Sequence, residues 1–348
     1  MAAPVTDAEW LAWIGKLLQN QAAPHSDATP VERDGFYCLL DEQPTQLVPQ
    51  RLLRQPLEDV SGGELFINPR CRLSAFDCGL SGFPGSDNFR APETGGPSIG
   101  WVEDPATGSW TPFWLGAALT GTVDELRRDP AAIPALPRNE LRNLLLAGIV
   151  VSEDYVDARR KHWAEVAERC RNKFRETGYA PVGNLIHPFH LGALRRYFRR
   201  QIRRGAIRLG DNQSSRRYVA HNDPAARFFH VQMAQAVSDL VGEPVKPSYV
   251  YTASYMSGAR LEKHTDREQC AFSITMCVDY APEPAAATPW PIRLDTKDGT
   301  VAAYQAIGDG LLYRGCELPH YRGTLTRGNT STSIFFHYVA EDFSGRLD

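Results

Sequence analysis

The sequence contains no CxxC pair. Its seven cysteines (38, 71, 78, 170, 270, 277 and 316) are scattered and odd in number. That pattern argues against a disulfide framework and fits reduced thiols in a reducing compartment. Long hydrophobic runs are also missing. The longest, LLLAGIVV at 144–151, is far too short to span a bilayer. Charge of one sign is not in excess: the net charge of −3 gives a field not tuned for polyanions. No internal repeat is present. The only biased run is APEPAAATPWP at 281–291, which reads as a loop between strands. The first twenty residues carry Asp7 and Glu9 and no continuous apolar stretch. They are expected to form an amphipathic helix, not a signal peptide, and the expected location is cytoplasmic.

What is present suits a sizeable folded core: 348 residues, 43% hydrophobic and 23% charged. The texture changes along the chain and divides it into an accessory region, 1–154, and a second domain, 155–348. The accessory region is irregular and rich in Gly and Pro, above all at 79–97. It ends in a more regular stretch. A helix capped by Thr122 runs through VDELRR. A second helix, NELRNLLLAG, stops at Gly148, and a short strand, IVV, follows. Helix, linker, helix, strand resembles a winged-helix domain, in particular the small peptide-recognising winged helices of peptide-modifying systems. A helical subdomain packed on the next domain fits the pattern equally well.

Residues 155–245 read as helical. Trp163, Val166, Ala167, Cys170 and Phe174 make one apolar stripe over 155–176. Leu191, Leu194, Phe198 and Ile202 make another over 188–204. A third helix is expected over 223–242, with Asn222 or Asp223 as N-cap and Gly242 as stop. Between 195 and 217 lie nine arginines and one acid, Asp211. They suit either an anionic partner or a solvated helix face with internal ion pairs.

From 248 to 340 the period changes from 3.6 to 2. Eight strand-like pieces follow one another: SYVYTASYM, RLEKHTD, AFSITMCVDY, PIRLDT, TVAAYQAI, GLLYRG, ELPHYRGTL and STSIFFHYV. In AFSITMCVDY, Phe272, Ile274, Met276, Val278 and Tyr280 are expected on one face. Ala271, Ser273, Thr275, Cys277 and Asp279 are expected on the other. Eight short strands in some ninety residues suggest a double-sheet jelly roll or cupin-like barrel. The fold class is therefore α+β: a C-terminal double-stranded β-helix with helical support, behind a mixed N-terminal domain.

Residues i and i+2 of a strand share a face, so His264 and Asp266 point the same way. If that face lines a barrel, the pair can hold a metal ion, and His320 is the best candidate for a third ligand. Two imidazoles and a carboxylate on one side of an ion leave positions open, as non-haem Fe(II) oxygenases require. Alternatively, His264 merely hydrogen-bonds Asp266 on an exposed turn. His187, His190, His221 and His230 lie in or beside helices, and His337 suits a structural role.

The stretch YMSGARLEKHTDREQCAFSITMCVDY, with GDGLLYRGCELPHYRGTL and STSIFFHYV, resembles the 2-oxoglutarate/Fe(II)-dependent dioxygenases, nearest to their prolyl-hydroxylase-like branch. The match covers roughly 248–340. The resemblance implies that His264, Asp266 and His320 are iron ligands. It implies that Tyr255, nine residues before His264, helps hold the 2-oxoglutarate, and it gives Gly308-Asp309-Gly310 the place of the family's usual turn. The carboxylate at 266 speaks against the halogenase variant. One feature departs from the pattern: the usual cation nine or ten residues after the distal histidine is replaced by Asn329 and Thr330. A buried dicarboxylate still needs a cation, and an arginine fork suits it. Arg322, two residues after His320, is preferred to Arg327, and Ser331 and Ser333 could add hydroxyl contacts. The implied cofactors are Fe(II), 2-oxoglutarate and O2, and the implied reaction is hydroxylation of an unactivated C–H bond.

For the substrate, the large N-terminal region and its winged-helix order favour a peptide or protein side chain over a small metabolite or free amino acid. A nucleic-acid oxygenase would use the arginines on phosphates, against which the acidic total charge counts. A non-oxidative cupin-type metal protein would keep the triad without 2-oxoglutarate.

Overall fold

The computed structural model describes residues 36–53, 64–74 and 98–348. The helix expected over the first twenty residues and the stretch 79–97 lie outside them. Strands β1 (Leu65–Ile67) and β5 (Val150–Ser152) pair with each other. Strands β2 (Cys71–Ser74), β3 (Ser98–Glu103) and β4 (Trp110–Leu115) form a three-stranded antiparallel sheet. The segment around Leu39 runs parallel along β4, Trp114 donating to the Cys38 carbonyl at 2.9 Å. Helix α1 (Ala117–Arg128) starts five residues before Thr122. Thr122 is not its cap, because its hydroxyl turns back to the Ala118 carbonyl at 3.1 Å. Helix α2 (Arg138–Leu146) stops at Ala147 and Gly148, whose φ of +70° favours glycine.

Helix α3 (Tyr155–Thr177) buries Trp163, Ala167, Cys170 and Phe174 along one stripe and ends at left-handed Gly178. Strand β6 (Tyr179–Val182) follows, then α4 (Pro188–Arg203), which buries Leu191, Leu194, Phe198 and Ile202. Much of the arginine cluster turns inward. Arg195, 1% exposed, donates to Asp279 and Glu283, and Arg199 also donates to Asp279. Strands β7 (Arg208–Leu209) and β8 (Arg217–His221) form a hairpin in a segment expected to be helical. The single helix expected over 223–242 is two, α5 (Pro224–Gln232) and α6 (Ala234–Val241), separated at Met233. Asp223 caps the first by accepting from the backbone N–H of Ala225 and Ala226, and Gly242 stops the second at φ +85°.

The remaining strands are β9 (Val245–Tyr255), β10 (Leu261–His264), β11 (Phe272–Ala281), β12 (Ile292–Thr296), β13 (Gly299–Ala303), β14 (Gly310–Tyr313), β15 (His320–Arg322) and β16 (Thr330–Ala340). Each of the eight strand-like pieces overlaps one of them. They build two antiparallel sheets, ordered β6-β14-β11-β16-β9-β8-β7 and β10-β15-β12-β13. Ile292 and Leu294 of the smaller sheet pack on Leu311 and Tyr313 of the larger, so the sheets face each other. The outer face of the larger sheet, with Ile274, Met276, Ile334, Phe336 and Tyr338, belongs to a core shared with the helices and with Trp101 and Trp114 of the N-terminal region.

The alternation in AFSITMCVDY fails at one point. Cys277 pairs with Ser333 but Asp279 with Thr332, so one extra residue sits in β11. This bulge re-phases the strand. Asp279 therefore shares the outer face with Thr332, towards Arg195 and Arg199, and not the inner face of Ser273, Thr275 and Cys277.

His190 of α4 gives a prediction for this core. Its ring is fully buried, with Nε2 donating to the Pro112 carbonyl at 2.5 Å and Nδ1 without a partner. Burial, helped by His187, pushes its pKa down to about 3. The folded state thus binds fewer protons than the unfolded state between pH 3 and the unfolded value near 6.5. Its stabilisation is complete above pH 6.5 and falls as pH drops towards 3. From pH 6.5 to 5 the loss is about 2 kcal/mol. Denaturant unfolding of wild type and His190→Gln over this range should show the slope reduced by one proton in the variant. Equal slopes would refute the assignment.

Candidate metal centre and cosubstrate cradle

Register brings the two histidines together. On the antiparallel pair β10–β15, His264 stands opposite His320 and Leu261 opposite Arg322. The ring centroids are 4.4 Å apart. Strand β10 ends at His264, so Asp266 owes its position to more than strand alternation: its backbone N–H donates to the Gly315 carbonyl at 2.9 Å. Its Oδ1 then lies 3.7 Å from His264 Nε2 and 3.5 Å from His320 Nε2. The three ligand atoms all lie within 4.8 Å of one another.

The tautomers suit a cation. His264 Nδ1 is 2.8 Å from the Glu262 carbonyl, and His320 Nδ1 is 2.9 Å from the Leu318 carbonyl. A carbonyl only accepts, so both Nδ1 atoms carry the proton and both Nε2 lone pairs face Asp266. Burial favours neutral imidazole at His264 and moves its pKa down. The second carboxylate oxygen is held. His337 Nδ1 lies 2.9 Å from Ser273 Oγ, and Ser273 Oγ donates to Asp266 Oδ2 at 3.2 Å. Burial pushes the His337 pKa down to about 4.

Asp266, Cys270 and His337 also lie within 4.8 Å. They make a poorer set. Burial, and then the Asp266 charge, push the Cys270 thiol up to about 12, and a metal wants the thiolate.

Beside the triad lies a buried polar cradle between the sheets. Arg322 shares β15 with His320 and is 4% exposed. Its Nη1 donates to the Trp290 carbonyl at 2.8 Å, its Nη2 to Gln305 Oε1 at 3.1 Å, and it stacks on the Trp290 ring at 4.8 Å. Its Nε has no partner, and no carboxylate among the described residues lies within ion-pair distance of it. Burial disfavours its charge. The hydroxyls of Thr275 and Ser333, on the inner face of β11 and β16, are likewise buried without partners. Tyr255 is fully buried; its Oη accepts from Arg217 Nη1 at 2.9 Å, which leaves the phenolic hydrogen to donate. Ser331 pairs with Tyr255 across β16 and β9. Arg327 is exposed, and Asn329 is turned to Tyr280 Oη at 2.7 Å.

Sequence reasoning did not single out Thr275, Gln305, Trp290 or Arg217. Thr275 had a signal, as a hydroxyl on the small polar face of a strand buried throughout. The others are brought in by loops and by an added strand. Among the described residues no helix is long and apolar enough to cross a membrane, and all six cysteines are free.

No family model and no curated protein matches the sequence. Solved structures similar to about half of it include a Pseudomonas putida prolyl-4-hydroxylase, at 17% identity over 50% of this chain and 98% of that one, with a TM-score of 0.40. A Trichoplax adhaerens prolyl hydroxylase in complex with a hypoxia-inducible-factor peptide fragment is similar at 12% identity, over 53% and 93%, with a TM-score of 0.45. The non-haem α-ketoglutarate-dependent epimerase SnoN of nogalamycin biosynthesis is similar at 13% identity, over 51% and 83%, with a TM-score of 0.43.

Proposed function

We propose that this chain is a 2-oxoglutarate- and Fe(II)-dependent dioxygenase that hydroxylates an unactivated C–H bond, on a peptide or protein side chain. In this reading His264, Asp266 and His320 hold the iron, and Arg322 takes the far carboxylate of 2-oxoglutarate. Thr275, Ser333, Ser331 and Tyr255 supply hydroxyls. The observation that carries it is the buried Arg322 without a counter-charge, set two residues from a His/Asp/His face. A cation in such a place is costly until an anion joins it, and a non-oxidative metal protein has no use for one there. When bound, the iron and 2-oxoglutarate supply the oxidising chemistry. The chain supplies position, tautomers and dry walls.

Anaerobic addition of Fe(II) and 2-oxoglutarate should give the weak visible absorption of their chelate. Metal-loaded protein without it would rule the reading out. His264→Ala should abolish the band. Arg322→Ala should weaken 2-oxoglutarate binding roughly 30-fold, since a buried charge pair loses one member. Arg327→Ala should change it less than about two-fold, as befits an exposed charge. The reverse order would move the carboxylate site to Arg327.

The peptide reading rests on the order β2-β3-β4-α1-α2-β5 ahead of the barrel, which keeps the winged-helix-like succession of helices and strand. The arginines do not favour nucleic acid: Arg195, Arg199 and Arg217 are engaged with Asp279, Glu283 and Asp211, and Arg196 with Thr45. A peptide fraction and a small-metabolite fraction of one cell extract would separate the two leading substrates. Succinate formation should rise with the peptide fraction. A rise with the metabolite fraction alone would transfer the activity to a small molecule.

A further inference from the structure

We infer that Gln305 is the positioning residue that aims Arg322 and so makes the site select a dicarboxylic 2-oxo acid. This inference rests on the reading of Arg322 as the anchor for the far carboxylate.

Gln305 lies in the segment between β13 and β14 and is 4% exposed. Its amide has no freedom to flip. Nε2 donates to the Thr275 carbonyl at 2.8 Å and to the Asp309 carbonyl at 3.0 Å, which leaves Oε1 to face Arg322 Nη2 at 3.1 Å. Reversal would set Oε1 against two carbonyls and an N–H against a guanidinium. The two carbonyls are themselves fixed, Thr275 by its place in β11 and Asp309 by its turn. In that turn Asp309 Oδ2 accepts from the Ala306 N–H at 3.0 Å, Cys277 N–H donates to the Asp309 carbonyl at 3.0 Å, and Arg51 bonds Asp309 Oδ1 at 2.9 Å.

Gln305 and the Trp290 carbonyl therefore hold one N–H of each terminal nitrogen. The remaining N–H groups, with Nε, are left for a ligand. Gln305 stabilises the cation without neutralising it. A carboxylate in its place would fill the anion site from within, and an apolar residue would let the guanidinium swing.

The test compares 2-oxoglutarate with 2-oxovalerate, which has the same 2-oxo acid head and no far carboxylate. Their dissociation constants are measured anaerobically on the Fe(II)-loaded protein through the chelate absorption. Wild type should prefer 2-oxoglutarate strongly. Gln305→Met should lower that preference roughly ten-fold, the scale of a lost charge-assisted contact. Gln305→Glu should lower it at least as far and recover part of it as pH falls and the new carboxyl is protonated. Iron affinity and 2-oxovalerate affinity should stay unchanged in both. A merely structural residue would weaken both oxo acids together and leave the preference intact, which would overturn the inference. Failure of both variants to fold would also count against it, placing Gln305 in the framework of the barrel. A wild type without preference would instead remove Arg322 as the anchor, and the two failures are thereby distinguished.

Discussion

Asp279→Ala should destabilise the folded protein by about 3–5 kcal/mol, the usual cost of breaking a buried charge pair. Asp279 holds two arginines of α4 at once. Arg195 Nε donates to its Oδ1 at 2.9 Å, and Arg199 donates to its Oδ2 at 2.6 Å and to its Oδ1 at 2.9 Å. Burial alone would raise the Asp279 carboxyl, but the two guanidinium groups hold it below the usual range. Removing it leaves Arg195 fully buried with only the Leu47 carbonyl at 2.5 Å and Glu283 at 2.7 Å. Glu283 is 44% exposed, so Glu283→Ala should cost less than about 1 kcal/mol. Urea unfolding at pH 7 would show the difference as a shift in midpoint at constant slope. A shift for Asp279→Ala no larger than that for Glu283→Ala would mean that the pair does not hold α4 to the sheet.

Asp279 also marks where the sequence stops being legible. The period-2 pattern over 272–280 identifies the strand and its buried faces, because side-chain direction follows strand geometry. It cannot register a bulge, because the extra residue answers to the partner strand and leaves no mark in the local alternation. The helical stripes were legible for the same local reason: Trp163 to Phe174 and Leu191 to Ile202 repeat at the helical period. The start of α1 at Ala117 was not, because Thr122 can serve as a cap or sit inside a helix with its hydroxyl on the Ala118 carbonyl.

The candidate site divides in the same way. His264 and Asp266 declare themselves by spacing, and His320 by its place near the end of the strand series. What brings His264 and His320 face to face is the β10–β15 register, which no single segment encodes. Arg322 could be proposed because it shares a strand face with His320. Gln305 could not, since its meaning comes from two carbonyls on other segments. Arg217 reaches Tyr255 only because an unforeseen strand, β8, pairs with β9.

The second large effect is expected at Gly315, a residue with no ligand atom of its own. A Cβ there would lie 2.6 Å from Asp266 Oδ2, 2.7 Å from Ser273 Oγ and 2.5 Å from the Cys270 carbonyl. All three contacts are shorter than real Cβ atoms tolerate, and one of them is backbone. The same glycine presents the carbonyl that receives the Asp266 N–H. Alanine must therefore displace either the carboxylate or the loop that orients it. Asp266 cannot retreat freely, because Ser273 Oγ holds its Oδ2. Iron affinity should fall roughly 100-fold or more, at or beyond the upper end of effects from lost supporting contacts around a metal ligand. Gly323 is the control. It follows Arg322 in the same segment, and a Cβ there meets nothing within 4 Å. Gly323→Ala should bind iron as the wild type does. Anaerobic Fe(II) titration of the three proteins, each shown to be folded by its thermal transition, reads this directly. Wild-type iron affinity in Gly315→Ala would mean that Asp266 does not need the position this loop gives it, and that the metal ligands must be sought elsewhere.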